Sequence, residues 1–165
     1  MSRGFVKEDD LEHAGTDQPE RPISLHPNYV TASGYAQLQA QAEQLDSDRL
    51  RLAASKEDSA VQQQLVRVNR NLRYIASRLE TAMVTKPDKS ALHVLFGATV
   101  EVEDAEGNLH QFTIVGEDEA DIQANKVSWI SPLAKALIGH KVDDEVLWLR
   151  PAGNITLIIL AIHYQ

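Results

Sequence analysis

The chain contains no cysteine among its 165 residues. That excludes a disulfide framework, a thiolate nucleophile and any cysteine-ligated zinc site, and it suits a reducing compartment. Aromatic residues are scarce, at 5%, which leaves few rings for a ligand cage or a base-stacking platform. No apolar run approaches the roughly 18–20 residues that a membrane-spanning helix needs. The longest, Ile155 to Ile162, is too short. Acidic residues follow soon after Met1 with no apolar core, which argues against a secretory signal. A soluble, cytoplasmic protein with no membrane role is expected. Phosphate loops, dinucleotide fingerprints and the Gly-x-Ser-x-Gly elbow are also missing. The six histidines, at 13, 26, 93, 110, 140 and 163, show no i,i+4 or His-x-His spacing, so no metal site is expected.

Basic charge is short as well. The net charge is −8, and it is unevenly spread. Three basic residues stand against six acidic ones over 1–30, eight against six over 31–86, and five against twelve over 87–165. Neutralising phosphates requires a basic surface, so sequence-specific nucleic-acid binding is not expected. A protein partner with basic patches fits better.

What the sequence does have is a helical seam. Val61, Leu65, Val68, Leu72, Ile75, Leu79 and Ala82 alternate in steps of four and three, which keeps one apolar stripe on a helix. Upstream, Leu38, Ala42, Leu45 and Leu52 follow the same stepping, with Arg49 interrupting it. The segment between, Ala53 to Ser59, is short enough to force an antiparallel helical hairpin. Thr31 or Ser33 is placed to cap the first helix, with Val30 ahead of it as a staple. The helices are predicted at about 33–54 and 59–84, and Pro87 closes the second arm. Residues 1–30, with scattered charge, glycine and proline, read as a mobile extension.

After a linker over 87–93 the period changes. Thr99 to Glu103 alternates polar and apolar, as a half-buried strand does. A turn at Asp104–Asn108 leads into a return strand, Leu109–Val115. Gly116 to Asn125 is an acidic loop with room for a short helical turn, and Lys126–Ile130 is a third strand. Ser131 caps a short helix with Pro132 at its first position and Gly139 at its end. Two last strands, 145–150 and 155–164, flank the turn Pro151–Asn154. The unbroken apolar run Leu157–Ile162 predicts a central strand covered on both faces. Residues 31–86 thus read as a coiled-coil hairpin and 94–165 as a compact domain with an antiparallel-rich sheet and one short helix, α+β in class. Trp129 and Trp148 read as core aromatics.

This order of elements resembles the Gre family of bacterial transcript-cleavage factors. Val30-Thr31-x-x-Gly34-Tyr35-x-x-Leu38 is similar to the family's hairpin opening, and Leu72-Arg73-Tyr74-Ile75 with Leu79-Glu80 to the GreB-type second helix. Phe96 to Val102 and Phe112-x-Ile114-Val115-Gly116 resemble its first two sheet strands. Ser131 to Gly139 resembles its short helix, and Val142 to Glu145 with Pro151-Ala152-Gly153 its closing segments. The likeness covers roughly residues 29–165 and is densest from 96 onward.

The resemblance implies an FKBP-like C-terminal domain that docks on bacterial RNA polymerase at the mouth of the secondary channel, with the hairpin entering the channel. Ser131, Pro132, Leu133 and Lys135 are the docking residues it implies; without it they are a well-capped helix covering a sheet. Arg67, Arg70, Arg73 and Arg78 form a candidate basic face of the hairpin towards RNA or acidic polymerase surfaces, or a solvated face with local ion pairs. The family's cleavage-competent members hold a magnesium ion in the polymerase active site with two tip acids, and the polymerase itself cuts the RNA. An enzyme in its own right is not implied.

At the tip this sequence departs from the pattern. Ser55-Lys56-Glu57-Asp58-Ser59 replaces the family's Leu-Gly-Asp and Ser-Glu-Asn. Glu57 and Asp58 are adjacent, and helical neighbours point about 100° apart. In the first turn of the second helix they also serve simply to complement its dipole. Each arm is about 7–10 residues shorter than in cleavage-competent members, on the order of 10–15 Å of reach. The expectation is a polymerase-binding modulator of elongation that needs no cofactor and does not stimulate cleavage. The alternative is a true cleavage factor with Glu57 and Asp58 holding magnesium. A prolyl isomerase is a third reading, but fold alone warrants it weakly. The aromatics of this half, Phe96, Phe112, Trp129, Trp148 and Tyr164, are also few for such a pocket.

Overall fold

A computed structural model of the protein describes residues 19–165. It divides into two compact units: residues 38–81 with the described residues up to Leu25, and residues 26–37 with 82–165. The first unit is the hairpin. Helix α1 spans Ala32–Ala53 and α2 spans Ser59–Thr81, joined by residues 54–58. The shielded positions follow the seam. Leu38, Leu52 and Ile75 are buried, while Ala42, Leu45, Val61, Leu65, Val68, Leu72 and Leu79 are half-buried. Most helical stability in a protein comes from packing an apolar face, so burial along the seam, roughly 1.5–3 kcal/mol for each fully covered Leu or Ile, is what holds the pair. Residues 1–18 of the expected extension lie outside the described residues. Farther on, Glu20 and Arg21 lie against α2: Glu20 pairs with Arg73 at 2.6 Å, and the Arg21 guanidinium sits 3.7 Å from the centre of the Tyr74 ring.

In the second unit Thr31 caps α1, its Oγ1 accepting the Gly34 N–H at 2.9 Å. Val30 lies in a two-residue strand, β1 (Tyr29–Val30), which pairs in parallel with β2 (Met83–Val84). The second helix therefore stops at Thr81 and not near 84. The Met83 and Thr85 N–H groups are taken by the carbonyls of Asn28 and Val30, partners more than fifty residues away that no local pattern reveals.

The main sheet has strands β3 (Thr99–Asp104), β4 (Leu109–Val115), β5 (Lys126–Ser128), β6 (Glu145–Trp148) and β7 (Ile155–His163), in the order β5-β4-β3-β7-β6. All neighbours are antiparallel except β4 and β5, so FKBP-like describes it loosely. Strand β5 ends at Ser128, sooner than expected, because Trp129 and Ile130 turn into the cap of α3 (Pro132–Leu137). The acidic loop contains the anticipated helical turn, Ile122–Ala124. Val100, Val102, Ile114, Val146, Leu157 and Ile159 point to one face, where Leu133, Ala134 and Leu137 of α3 close the core; Trp129 and Trp148 pack at its margin. The Tyr164 hydroxyl donates to the His93 carbonyl at 2.7 Å and accepts the Leu95 N–H at 3.0 Å, pinning the end of the chain to the linker.

Strand β7 is interior, as its apolar run predicts, but only one of its faces is covered. Leu157 and Ile159 are buried, whereas Ile158 and Leu160 remain 42% and 39% exposed. A bulge between Ala161 and Ile159, opposite Glu101 and Val102, leaves Leu160 unpaired on the outer side.

Two predictions follow from this packing. A Cβ on Gly116 would lie 2.4 Å from the Tyr29 carbonyl oxygen, a backbone atom that cannot swing away. Gly116→Ala should cost about 2 kcal/mol or more, read as a lower urea midpoint at unchanged slope; an unchanged midpoint would mean that β1 is not held against this loop. In the β3–β4 turn, the His110 ring and then the backbone N–H groups of Asn108 and Glu106 hold the Asp104 carboxyl at about 2, below its ordinary 3.8. Because the folded value is depressed, the stabilisation is complete above the ordinary value and fades as pH falls through about 2. Asp104→Asn should therefore be less stable than the parent near neutral pH, with urea midpoints measured at falling pH converging only below the folded value of about 2.

Candidate functional site

The docking residues implied by resemblance sit where β5 hands over to α3. Ser131 is extended, with φ −68° and ψ 154°, and its side chain accepts the Ala134 N–H while Pro132 occupies the first turn. The Ser131 carbonyl accepts the Lys135 N–H at 2.9 Å. This pairing of cap and proline fixes the direction in which the helix leaves the strand. Pro132 and Lys135 are exposed, but Leu133 is only 3% exposed and belongs to the core. It can stiffen a docking surface from below, not make its outer contacts. Ile130 is half-buried beside them.

Next to this corner lies an open groove of about 580 Å³ whose walls include Phe112, Ile122, Val127, Ser131, Pro132 and Trp148. The Phe112 and Trp148 rings meet edge to face at 6.1 Å. Ile122 stands on the rim with 88% of its surface exposed. It is held there by Asp121, which caps the short helical turn by accepting the Gln123 N–H at 3.1 Å. Lys126 on the adjoining strand is engaged with Glu119 at 3.6 Å. An apolar floor with a proline and an isoleucine at its lip suits a side chain from a protein partner more than a polar small molecule. The sequence reading missed Ile122, Phe112 and Trp148 as site residues. Ile122 had a signal, being an isolated isoleucine in an acidic loop; the two rings had none, because sheet pairing alone brings them to the groove.

At the hairpin tip both acids are exposed, and they have different jobs. The Asp58 carboxylate accepts the Ala60 N–H at 2.9 Å, and its carbonyl accepts the Gln62 N–H at 2.9 Å. Asp58 is thus the N-cap of α2. Glu57 stands beside it in the turn, with Lys56 preceding it. Among the described residues no group of three or more His, Cys, Asp or Glu side chains is placed to hold a metal ion.

The four arginines do not form one open basic face. Arg67 is exposed and Arg70 half-buried. Arg73 is bidentate to Glu20, with contacts of 2.6–3.0 Å, and this pairing holds the Glu20 carboxyl below its usual range. Arg78 is 1% exposed. A guanidinium so deeply covered cannot meet an external phosphate. The spacing put it on the polar side of the seam, but burial at this end of α2 reaches beyond the seam.

Asp58→Ala should lower hairpin stability by about 1 kcal/mol, the usual worth of a side-chain cap, whereas Glu57→Ala should change it by a few tenths at most. Thermal melts followed at the helical band read both; equal losses would remove the distinction between the two acids.

Comparison with known proteins agrees with this architecture. The family described as "Transcription elongation factor, GreA/GreB, C-term" matches residues 89–164. Transcription elongation factor GreB of Xanthomonas axonopodis pv. citri is 37% identical over 160 residues, covering 87% of this chain and 95% of that protein. GreB of Neisseria meningitidis serogroup A is 40% identical over 99 residues, a match that spans 59% of this chain and 61% of the relative. The solved structure of GreA factor homolog 1 (Gfh1) of Thermus thermophilus aligns over 84% of this chain and 99% of its own at 25% identity, with a TM-score of 0.41; at that score it adds nothing to the assignment.

Proposed function

Because the chain belongs to the GreA/GreB family of transcription elongation factors, we propose that it acts on RNA polymerase as a docked modulator that does not stimulate transcript cleavage. The groove beside Ser131 and Pro132 takes the polymerase at the mouth of its secondary channel, and the hairpin enters. Action is by obstruction and wall contact, and the protein has no chemistry of its own.

The observation that carries the reading is the state of the tip. Of its two acids, Asp58 is committed to the N–H groups at the start of α2. Direct magnesium coordination needs oxygens at about 2.0–2.1 Å in near-octahedral array, and the Ala60 N–H bond ties the orientation of the Asp58 carboxylate to the start of α2 instead of leaving it free to pair with Glu57. Arm length points the same way. α2 has 23 residues, about 35 Å at 1.5 Å per residue. The resemblance puts that on the order of 10–15 Å short of cleavage-competent hairpins.

Core RNA polymerase and backtracked elongation complexes provide the test. The protein should bind core polymerase at micromolar concentration and leave the length of the backtracked RNA unchanged. Pro132→Asp and Ile122→Asp, both at exposed positions, should weaken binding by about tenfold or more, as loss of a central apolar contact does. No binding would remove the polymerase as partner. RNA shortening that disappears in the Glu57→Ala, Asp58→Ala double variant would replace this reading with the cleavage factor.

A further inference from the structure

The sheet has a second face, opposite α3, that the docking groove does not use. At one end, where Thr99 and Val115 lie on this side, it is covered: they are 9% and 1% exposed. Over β6, β7 and the far half of β3 it is open. Leu147, Ile158 and Leu160 stand there 51%, 42% and 39% exposed, with Ala161 brought to the same side by the bulge. The strand register places acids on both flanks of this line. Ile158 lies opposite Glu103 on β3 and opposite Glu145 on β6, and Ala161 lies opposite Glu101. No outward position of β3, β6 or β7 carries lysine or arginine; the one imidazole, His163, sits 3.8 Å from Glu101.

We infer that this face is a second docking surface, separate from the groove, for an amphipathic basic helix of a partner protein. The dimensions suit such a helix. Neighbouring strands are about 4.8 Å apart, so the carboxylates run about 5 Å to either side of the apolar line. A helix about 10–12 Å across, laid along β7 with its apolar stripe inward, brings lysines or arginines on its two flanks onto them. β7 has nine residues, roughly 30 Å of strand, which matches about 18–20 residues of helix. The same carboxylates exclude the other occupants. Two copies meeting face to face would set three glutamates against three, and nucleic acid or an anionic membrane would be repelled.

The full chain, labelled with ¹⁵N, tests this with two synthetic helical peptides of about 20 residues. Both have leucine at heptad a and d positions, one with lysine on the flanks and one with glutamate. The lysine peptide should shift the amides of Leu147, Ile158 and Leu160 and bind at least about tenfold more tightly than the glutamate peptide. Glu103→Lys with Glu145→Lys should reverse that preference, and Ile158→Ser should weaken the lysine peptide. All three positions are at least partly exposed, and circular dichroism checks that each variant stays folded. Shifts confined to Phe112, Val127 and Trp148, an unchanged preference in the reversed variant, or a dimer in sedimentation that Ile158→Ser dissolves would each overturn the proposal.

Discussion

A five-stranded sheet has two faces to bury, and among the described residues its own unit packs one six-residue helix on it after β5. Most of the C-terminal half follows from that constraint. The helix covers only the centre of one face, through Leu133, Ala134 and Leu137, so the margin of that face stays open as the groove between Phe112, Trp148 and Pro132. On the other face Thr99 and Val115 are covered, while Leu147, Ile158 and Leu160 are exposed.

The hairpin answers a different need. Its helices are mutually dependent, since neither buries its stripe alone. Once the seam is satisfied, the tip and the flanks are free of packing duty, and their residues are taken up by local electrostatics. Asp58 serves the helix start and Asp46 serves Arg49. Arg73 serves Glu20 from the segment before the hairpin. Such exposed ion pairs contribute little stability; their effect here is on which charges remain available to a partner. Of the four arginines that the sequence places on one polar side, Arg67 is exposed, Arg70 half-buried, Arg73 paired with Glu20 and Arg78 buried.

The separation of roles in the C-terminal half is equally physical. Ser131 and Pro132 shape the corner through backbone geometry, whereas Ile122 and the two rings provide its apolar surface. Leu133 is buried with Ala134 and Leu137 and meets the groove only from its floor, while the helical period of 3.6 leaves residues 132 and 135 exposed.

The sequence by itself determined much of what short spacing sets. The seam, the short connection between the arms, the cap at Ser131, the Asp104–Asn108 turn and the alternation of β3 all depend on contacts within a few residues; between Thr31 and Ser33 the sequence left the first cap open, and the Gly34 N–H bond selects Thr31. Only the tertiary structure decided which side of β7 is covered, that Met83 and Val84 leave the helix to pair with Tyr29 and Val30, that β5 runs parallel to β4, and that Arg78 is buried. The strand pairings join segments distant in sequence, and the two burials depend on what packs against each side chain, neither of which a local pattern reports. An apolar run reports how much surface prefers to be covered, not whether the chain has a layer left to cover it.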